Sequence, residues 1–431
     1  MRPSQVSVLT PILFVLLVTL TLSPTHLQAA ADQDCGTSST KGTIEPLTLR
    51  VALYPFIPDN LTFFHNLESI FECENPGVDL RLVSTPNATY EYYTDDEADK
   101  KGFQFVDADV YEIDTILLSD FIALGKIAPI DLPFDDFAPE GIQAVTRQDE
   151  VYGVPHWLCG NFMFYRKDDV EIRNAATWKE IIEILKLRDK ALLVDLKGRS
   201  TLGEWYLTAL SEIVGLAEAQ KQVAEGMPIN SDAMNYLRDI VAGCPNGYCR
   251  SDKMHDSTGF YARAFIRGEA AVYIGYSETI HYGLREEADN CLTTSGCLGE
   301  DDIGVRSLPP FDPMKKPVGV GWVDALAIGA ELTGRKKDLA LRFIRLAVSD
   351  SVYLSIVEPS WPYSSRYLLP ARQGVAVNKA PLYEQFFAAH LGRQTGTLPN
   401  LNRMLRTIAG AVNCDLPIDR DDIASKTSCS K

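Results

Sequence analysis

The chain has 431 residues, 46% of them hydrophobic, and a formal net charge of -17. That length and composition suit one large bilobal fold, or roughly two to three domains, with a full core. The acidic balance argues against a nucleic-acid surface, which needs clustered Lys and Arg; it is compatible with a cationic small ligand, although plain solubility is the better account of it.

The N-terminus carries Arg2, an apolar run from about Val8 to Leu22, Ser23-Pro24 and then Ala29-Ala30-Ala31. This is the form of a secretory signal peptide, with cleavage expected near Ala31. The run is too short for a comfortable membrane span, and no later stretch has the length and apolarity of one. The expected location is secreted or extracellular (periplasmic in a bacterium), with no membrane attachment after cleavage.

Secretion makes the cysteines informative. Cys244 with Cys249, and Cys291 with Cys297, suggest two local loop staples. Cys35, Cys73, Cys414 and Cys429 could form two longer bridges whose pairing cannot be read from sequence. Cys159 is left over, on a buried strand. An unpaired thiol there is either inert core or kept for its chemistry. Asn60-Leu61-Thr62 and Asn87-Ala88-Thr89 are glycosylation sequons if the source is eukaryotic.

Leu47 to Tyr54 alternates as a first strand, Thr62 to Glu74 has helical spacing, and Val78 to Val83 reads as a second strand. Strand, helix, strand at this spacing opens a parallel α/β sheet. Ala108 to Ile113 is a strand ending at Asp114, followed by a helix over Thr115 to Leu124 and, after Gly125, the run Ile127 to Leu132. Tyr54 and Asp114 sit at carboxyl ends of strands, where open α/β sheets bind ligands; surface turns are the competing reading.

Tyr152-Gly153-Val154-Pro155 is a turn leading into the aromatic run His156 to Lys167, which reads as one buried strand with Cys159 in its middle beside Gly160. A glycine in a strand marks close approach of another backbone or a ligand. Downstream, helices are expected over Trp178 to Lys186, Leu202 to Val214 and Ser231 to Ala242, with Ser231 as N-cap, and over Thr258 to Arg267. Strands are expected over Leu192 to Leu196 and Ala270 to Tyr276. Val318 to Ile328 leads through Trp322-Val323-Asp324 to an amphipathic helix over Arg335 to Val348. The six histidines are scattered without ligand spacing, so neither a metal nor a cofactor is expected.

Several phrases, in order, resemble type II extracellular solute-binding proteins. They are Asp109 to Asp114 with Gly125 to Ile130, Tyr152 to Pro155 running to Phe164-Tyr165-Arg166-Lys167, Thr177 to Glu180, Phe265 to Ala271, and Ala325 to Ile328. The resemblance implies two α/β lobes with a ligand cleft between them. Lobe 1 is expected over 46-157 plus 318-360, and lobe 2 over 158-317 plus 361-431, with crossings near His156 to Asn161, Val318 to Asp324 and Pro359 to Ser365.

Within that fold, Cys159 on the crossing strand, Tyr276-Ser277-Glu278 at a strand end, Asp324 on the return strand and Tyr54 after the first strand resemble the bacterial thiaminase I (thiamine pyridinylase) family. The resemblance implies a thiamine-degrading transferase. Cys159 would add to the pyrimidine, and Glu278 would serve as acid and base, with Glu286 and Glu287 as nearby alternatives. Asp114 and Asp324 would hold the aminopyrimidine; Tyr54, Trp157, Tyr276 and Trp322 could stack on the rings, core packing being the rival reading for the two tryptophans. The implied partners are thiamine and an amine or thiol co-substrate, on a monomer. A non-catalytic solute-binding protein is the main alternative. A cysteine hydrolase is disfavoured because His156 and Cys159, three apart on a strand, face opposite ways.

Overall fold

The computed structural model describes residues 46–416 apart from 55–56, 84–106, 134–135, 190, 251–258, 288–290, 292–295, 316–318, 360–363, 391–392 and 396–397. The expected signal peptide, Cys35, Cys429 and the Asn87 sequon lie outside the described residues.

The first strand, β1 (Leu47–Ala52), is followed by α1 (Asn60–Glu74) and β2 (Val78–Val83). β1 and β2 pair in parallel, the arrangement expected when a helix connects neighbouring strands. Phe63, Phe64, Leu67 and Phe71 recur at helical spacing and form the buried face of α1. Next come β3 (Val110–Asp114), α2 (Thr115–Ala123), the two-residue β4 (Ile127–Ala128) and α3 (Pro139–Val145). The run expected to extend to Leu132 pairs over just those two residues of β4, because it meets only the end of a partner strand.

The hairpin β5 (Thr146–Arg147) and β6 (Glu150–Val151) leads into β7 (Val154–Cys159) and β8 (Phe162–Arg166). The aromatic run is therefore two strands rather than one, broken at Gly160-Asn161. The break has a packing cause: a Cβ on Gly160 would lie 1.9 Å from the Arg393 guanidinium, so the backbone turns against a side chain. β7 belongs to one sheet and β8 to another, and the chain crosses between lobes directly after Cys159.

The second lobe continues with α4 (Val170–Asn174), α5 (Trp178–Leu187), β9 (Leu192–Val194), α6 (Arg199–Val214), α7 (Leu216–Ala224), α8 (Ser231–Ala242), α9 (Phe260–Ile266), β10 (Val272–Gly275), α10 (Thr279–Glu286) and β11 (Ile303–Arg306). The cap of α8 is Asn230 instead of Ser231: its side chain accepts from the Asp232 and Ala233 amides, satisfying two otherwise orphaned donors. The chain returns as β12 (Val320–Gly329), followed by α11 (Gly334–Ala347), α12 (Asp350–Val357), β13 (Leu369–Pro370), α13 (Tyr383–His390), β14 (Gln394–Thr395) and α14 (Leu401–Asp415).

The large sheet runs β13-β7-β12-β3-β1-β2, with β4 and β14 also on β12; the small sheet runs β11-β8-β10-β9. The fold is a two-lobed α/β architecture with one sheet at the heart of each lobe. β13 and β14 lie beyond residue 361 yet pair with β7 and β12 in the large sheet. β12 is the keystone, antiparallel to both β7 and β3. Its register shifts between Asp324 and Ala325, where His156 is skipped in the pairing, and such an irregularity re-aims side chains beside it. Disulfides join Cys244 to Cys249 and Cys291 to Cys297, and Cys73 and Cys414 are also disulfide-bonded.

Candidate functional site

Three strand ends converge where the two sheets meet. Cys159 closes β7, and Trp322 pairs opposite it on β12; Asp324, two residues on, faces the same side. Asp114 closes β3 directly opposite Asp324. Tyr276 and Glu278 follow β10, which borders β8 in the small sheet.

Cys159 is the one free cysteine among the described residues. Its Sγ donates to Asp324 Oδ2 at 3.3 Å, so its bonded carboxylate is Asp324, whereas Glu278 acts on it through space. Burial, followed by the charges of Asp324, Glu278 and Asp114, pushes the thiol well above its ordinary range. Burial raises Glu278 to about 7, against hydrogen bonds that favour its charged form. A carboxyl titrating there is poised to take a proton near neutrality.

Tyr54 is fixed from behind by a residue that sequence reasoning did not single out. Its amide donates to Glu112 Oε2 at 2.7 Å, and the other Glu112 oxygen lies 2.5 Å from His156 Nδ1. His156 is thus committed to the side away from Cys159. His281 is likewise turned to the Ser365 carbonyl at 3.0 Å, and burial lowers its pKa. No imidazole is hydrogen-bonded to Sγ among the described residues, and neither His156 nor His281, the histidines of the hydrolase reading, serves the thiol as a base. Nor does any group of three or more His, Cys, Asp or Glu among them suit a metal ion.

Asp114 also caps α2, its Oδ1 accepting from the Ile116 amide at 2.9 Å. Tyr54, Tyr276 and Glu278 line a cavity of about 320 Å³ whose other walls include Trp205, Phe260 and Tyr282. Aromatic faces with carboxylates among them suit a flat cationic ligand. The last three residues carry no local motif and were not anticipated.

The two tryptophans take the core packing that competed with stacking in the sequence reading. Trp157 is fully buried, with rings of His156 and Tyr353 packed on it, and offers no face to a ligand. Trp322 is 3% exposed, and its indole hydrogen-bonds the Glu204 carboxylate. Each is consumed by packing, since a ring large enough to stack on substrate also fills the strand junction. Glu286 binds Arg263, and Glu287 lies 2.7 Å from Arg267, so both alternatives to Glu278 are held in ion pairs.

The family model for bacterial extracellular solute-binding proteins matches residues 71–385. Thiaminase-1 of Paenibacillus thiaminolyticus is 26% identical over 359 residues, covering 79% of this chain and 80% of the relative. The solved structure of thiaminase I from Bacillus thiaminolyticus aligns with a TM-score of 0.68 at 22% identity, over 85% of this chain and 98% of that one. Thiaminase I of Clostridium botulinum, solved in complex with thiamin, aligns with a TM-score of 0.67 at 21% identity, over the same shares.

Proposed function

The chain belongs to the bacterial extracellular solute-binding protein family, and we propose that on this scaffold it is a secreted, thiamine-degrading transferase, a thiamine pyridinylase. The relatives of that activity span most of its length. One observation carries the reading: the one free thiol among the described residues lies at the junction of the two sheets, 3.3 Å from one carboxylate and in the field of a second that titrates at about 7.

Thiamine joins an aminopyrimidine to a cationic thiazolium through a methylene. In the proposed reaction the Cys159 thiolate adds to the pyrimidine ring, forming a C–S bond. Ring electrons then break the bond from methylene to thiazolium nitrogen, and neutral thiazole leaves. An external amine or thiol adds to the methylene, and the C–S bond to Cys159 breaks. Covalent catalysis of this kind splits one hard step into two.

The proton accounting assigns the carboxylates. A free thiol titrates at about 8.5 and a free glutamic acid at about 4.3, which makes transfer between them uphill by roughly 5.7 kcal/mol. Burial raises Glu278 towards the thiol, but it raises Cys159 as well. The cationic substrate supplies the missing stabilisation of thiolate. Glu278 takes the thiol proton and returns it when the thiolate departs; the proton released to solvent is the nucleophile's. Asp114 and Asp324 accept from the exocyclic amine and the protonated ring nitrogen, and Tyr54 and Tyr276 wall the rings.

Incubation with thiamine and aniline or pyridine tests this reading: the exchanged pyrimidine product is expected, and its absence at saturating thiamine removes the enzymatic assignment. The second reading, a non-catalytic receptor, is favoured by the family scaffold itself. It predicts thiamine binding without exchange.

A further inference from the structure

Glu204, on α6, is 6% exposed and lies between both sheets' contributions to the site. Its Oε2 accepts from the Tyr276 hydroxyl at 2.6 Å, and its Oε1 accepts from Asn161 Nδ2 at 3.0 Å. The Trp322 indole hydrogen-bonds the same carboxylate, and the Arg393 guanidinium adds a favourable charge nearby. Arg393 is itself tied to the Asn161 carbonyl at 2.6 Å.

The three donors share a spacing. Asn161 lies two residues after Cys159, Tyr276 lies two residues before Glu278, and Trp322 lies two residues before Asp324. Cys159, Glu278 and Asp324 are therefore each one dipeptide step from a side chain held by Glu204. We propose that Glu204 is a positioning residue: one buried carboxylate sets the mutual placement of the segments that carry Cys159, Glu278 and Asp324. A backbone shift at any of those donors would carry its neighbour with it, and misplacement by about 1 Å costs catalysis on the order of a hundredfold. A carboxylate suits the task because three charge-assisted hydrogen bonds can converge on it from three directions. An amide in its place offers one acceptor and two donors, so at least one of the three partners is left facing a donor.

The inference rests on the proposed reaction for its kinetic readout, and the test separates the two. In Glu204→Gln, kcat for thiamine exchange is expected to fall at least tenfold while KM for thiamine stays within about threefold. Asn161→Ala, a milder change that removes one donor, is expected to lower kcat severalfold with the melting temperature held. The pH profile of Cys159 alkylation by iodoacetamide is read in parallel, because it needs no turnover; Glu204→Gln is expected to displace it from that of the wild type. Wild-type kcat in both variants, or kcat and melting temperature falling together in both, overturns the positioning role, as does an unchanged alkylation profile. Should the wild type itself fail to turn over thiamine, the proposed reaction falls, and the alkylation profiles still decide whether Glu204 sets the thiol's surroundings.

Discussion

Cys159 Sγ donates to Asp324 Oδ2 across the β7–β12 pair, on a diagonal of the ladder whose direct partner to Asp324 is Trp157. This contact holds the sulfur as a thiol. In the unliganded protein the nucleophile is guarded, because an anion beside an anion is disfavoured and the site is already acidic. Asp324→Asn removes that repulsion. Alkylation of Cys159 at neutral pH is expected to become faster than in wild type, while thiamine turnover falls by about 10- to 100-fold as the aminopyrimidine loses an anchor. Slower alkylation in the variant would show that Asp324 activates the sulfur instead of restraining it.

Cys159→Ser separates enzyme from receptor. An alkoxide is far harder to form than a thiolate, and the proposed addition is lost with the sulfur. Turnover is expected to fall by about 10³-fold or more, with the thiamine dissociation constant within about threefold when measured by calorimetry. A serine variant that retained exchange activity would make the thiol a bystander.

The Glu278 carboxyl, raised by burial to about 7, gives the activity an acid limb. It accepts a proton only when ionised, so kcat/KM is expected to rise with pH through about 7 and to lose that limb in Glu278→Gln, where the residual rate is low throughout. Stability has the opposite sign. A carboxyl raised on folding binds protons more tightly in the native state, and its contribution is fully present below the unfolded value near 4.5 and lost as pH rises through about 7. Glu278→Gln is therefore expected to be more stable than wild type at pH 8, by about 2 kcal/mol after allowing for partial exposure, and to match it at pH 4. Denaturant titrations at the two pH values check this. The same stability gap at both would mean that burial of the carboxylate is not its source.

Much of this site was legible because its chemistry sits on regular elements. Period-2 and period-3.6 runs located β1, α1, β2 and β12 within a few residues, and the strand end at Asp114 and the place of Asp324 on β12 followed. Cys159 stood out once the close cysteine spacings had claimed Cys244, Cys249, Cys291 and Cys297, which the structure pairs as expected. Glu112, Glu204 and Arg393 were not legible as site residues, since a charged side chain in sequence reads as solvated surface. Glu204 did carry a signal: it is flanked by Leu202, Trp205, Tyr206 and Leu207, and a carboxylate inside such an apolar run needs partners. The tryptophans were ambiguous for the converse reason. Aromaticity marks stacking and core alike, and only packing distinguished Trp157 from Tyr54.

Gly160 gives the last prediction. It follows Cys159 at the turn from β7 towards β8, and a methyl group there would meet Arg393 Nη1 at 1.9 Å. The far end of an arginine can usually swing aside, but this one is pinned. Its Nη2 donates to the Asn161 carbonyl at 2.6 Å, its guanidinium lies 4.2 Å from the Phe162 ring centre, and Gly319 and Gly321 border its aliphatic stem. Moving it would expose Phe162 and unpair a buried cation, since Arg393 is 6% exposed. Gly160→Ala is expected to lower stability by about 1–3 kcal/mol, the range for overpacking a filled site, and to depress turnover further than that loss alone explains, because the strained peptide adjoins the nucleophile. Shortening the obstacle should relieve the clash: Arg393→Ala combined with Gly160→Ala is expected to cost less than the sum of the two single changes. Strict additivity in a double-mutant cycle on chemical denaturation would sever the link between the glycine and the guanidinium.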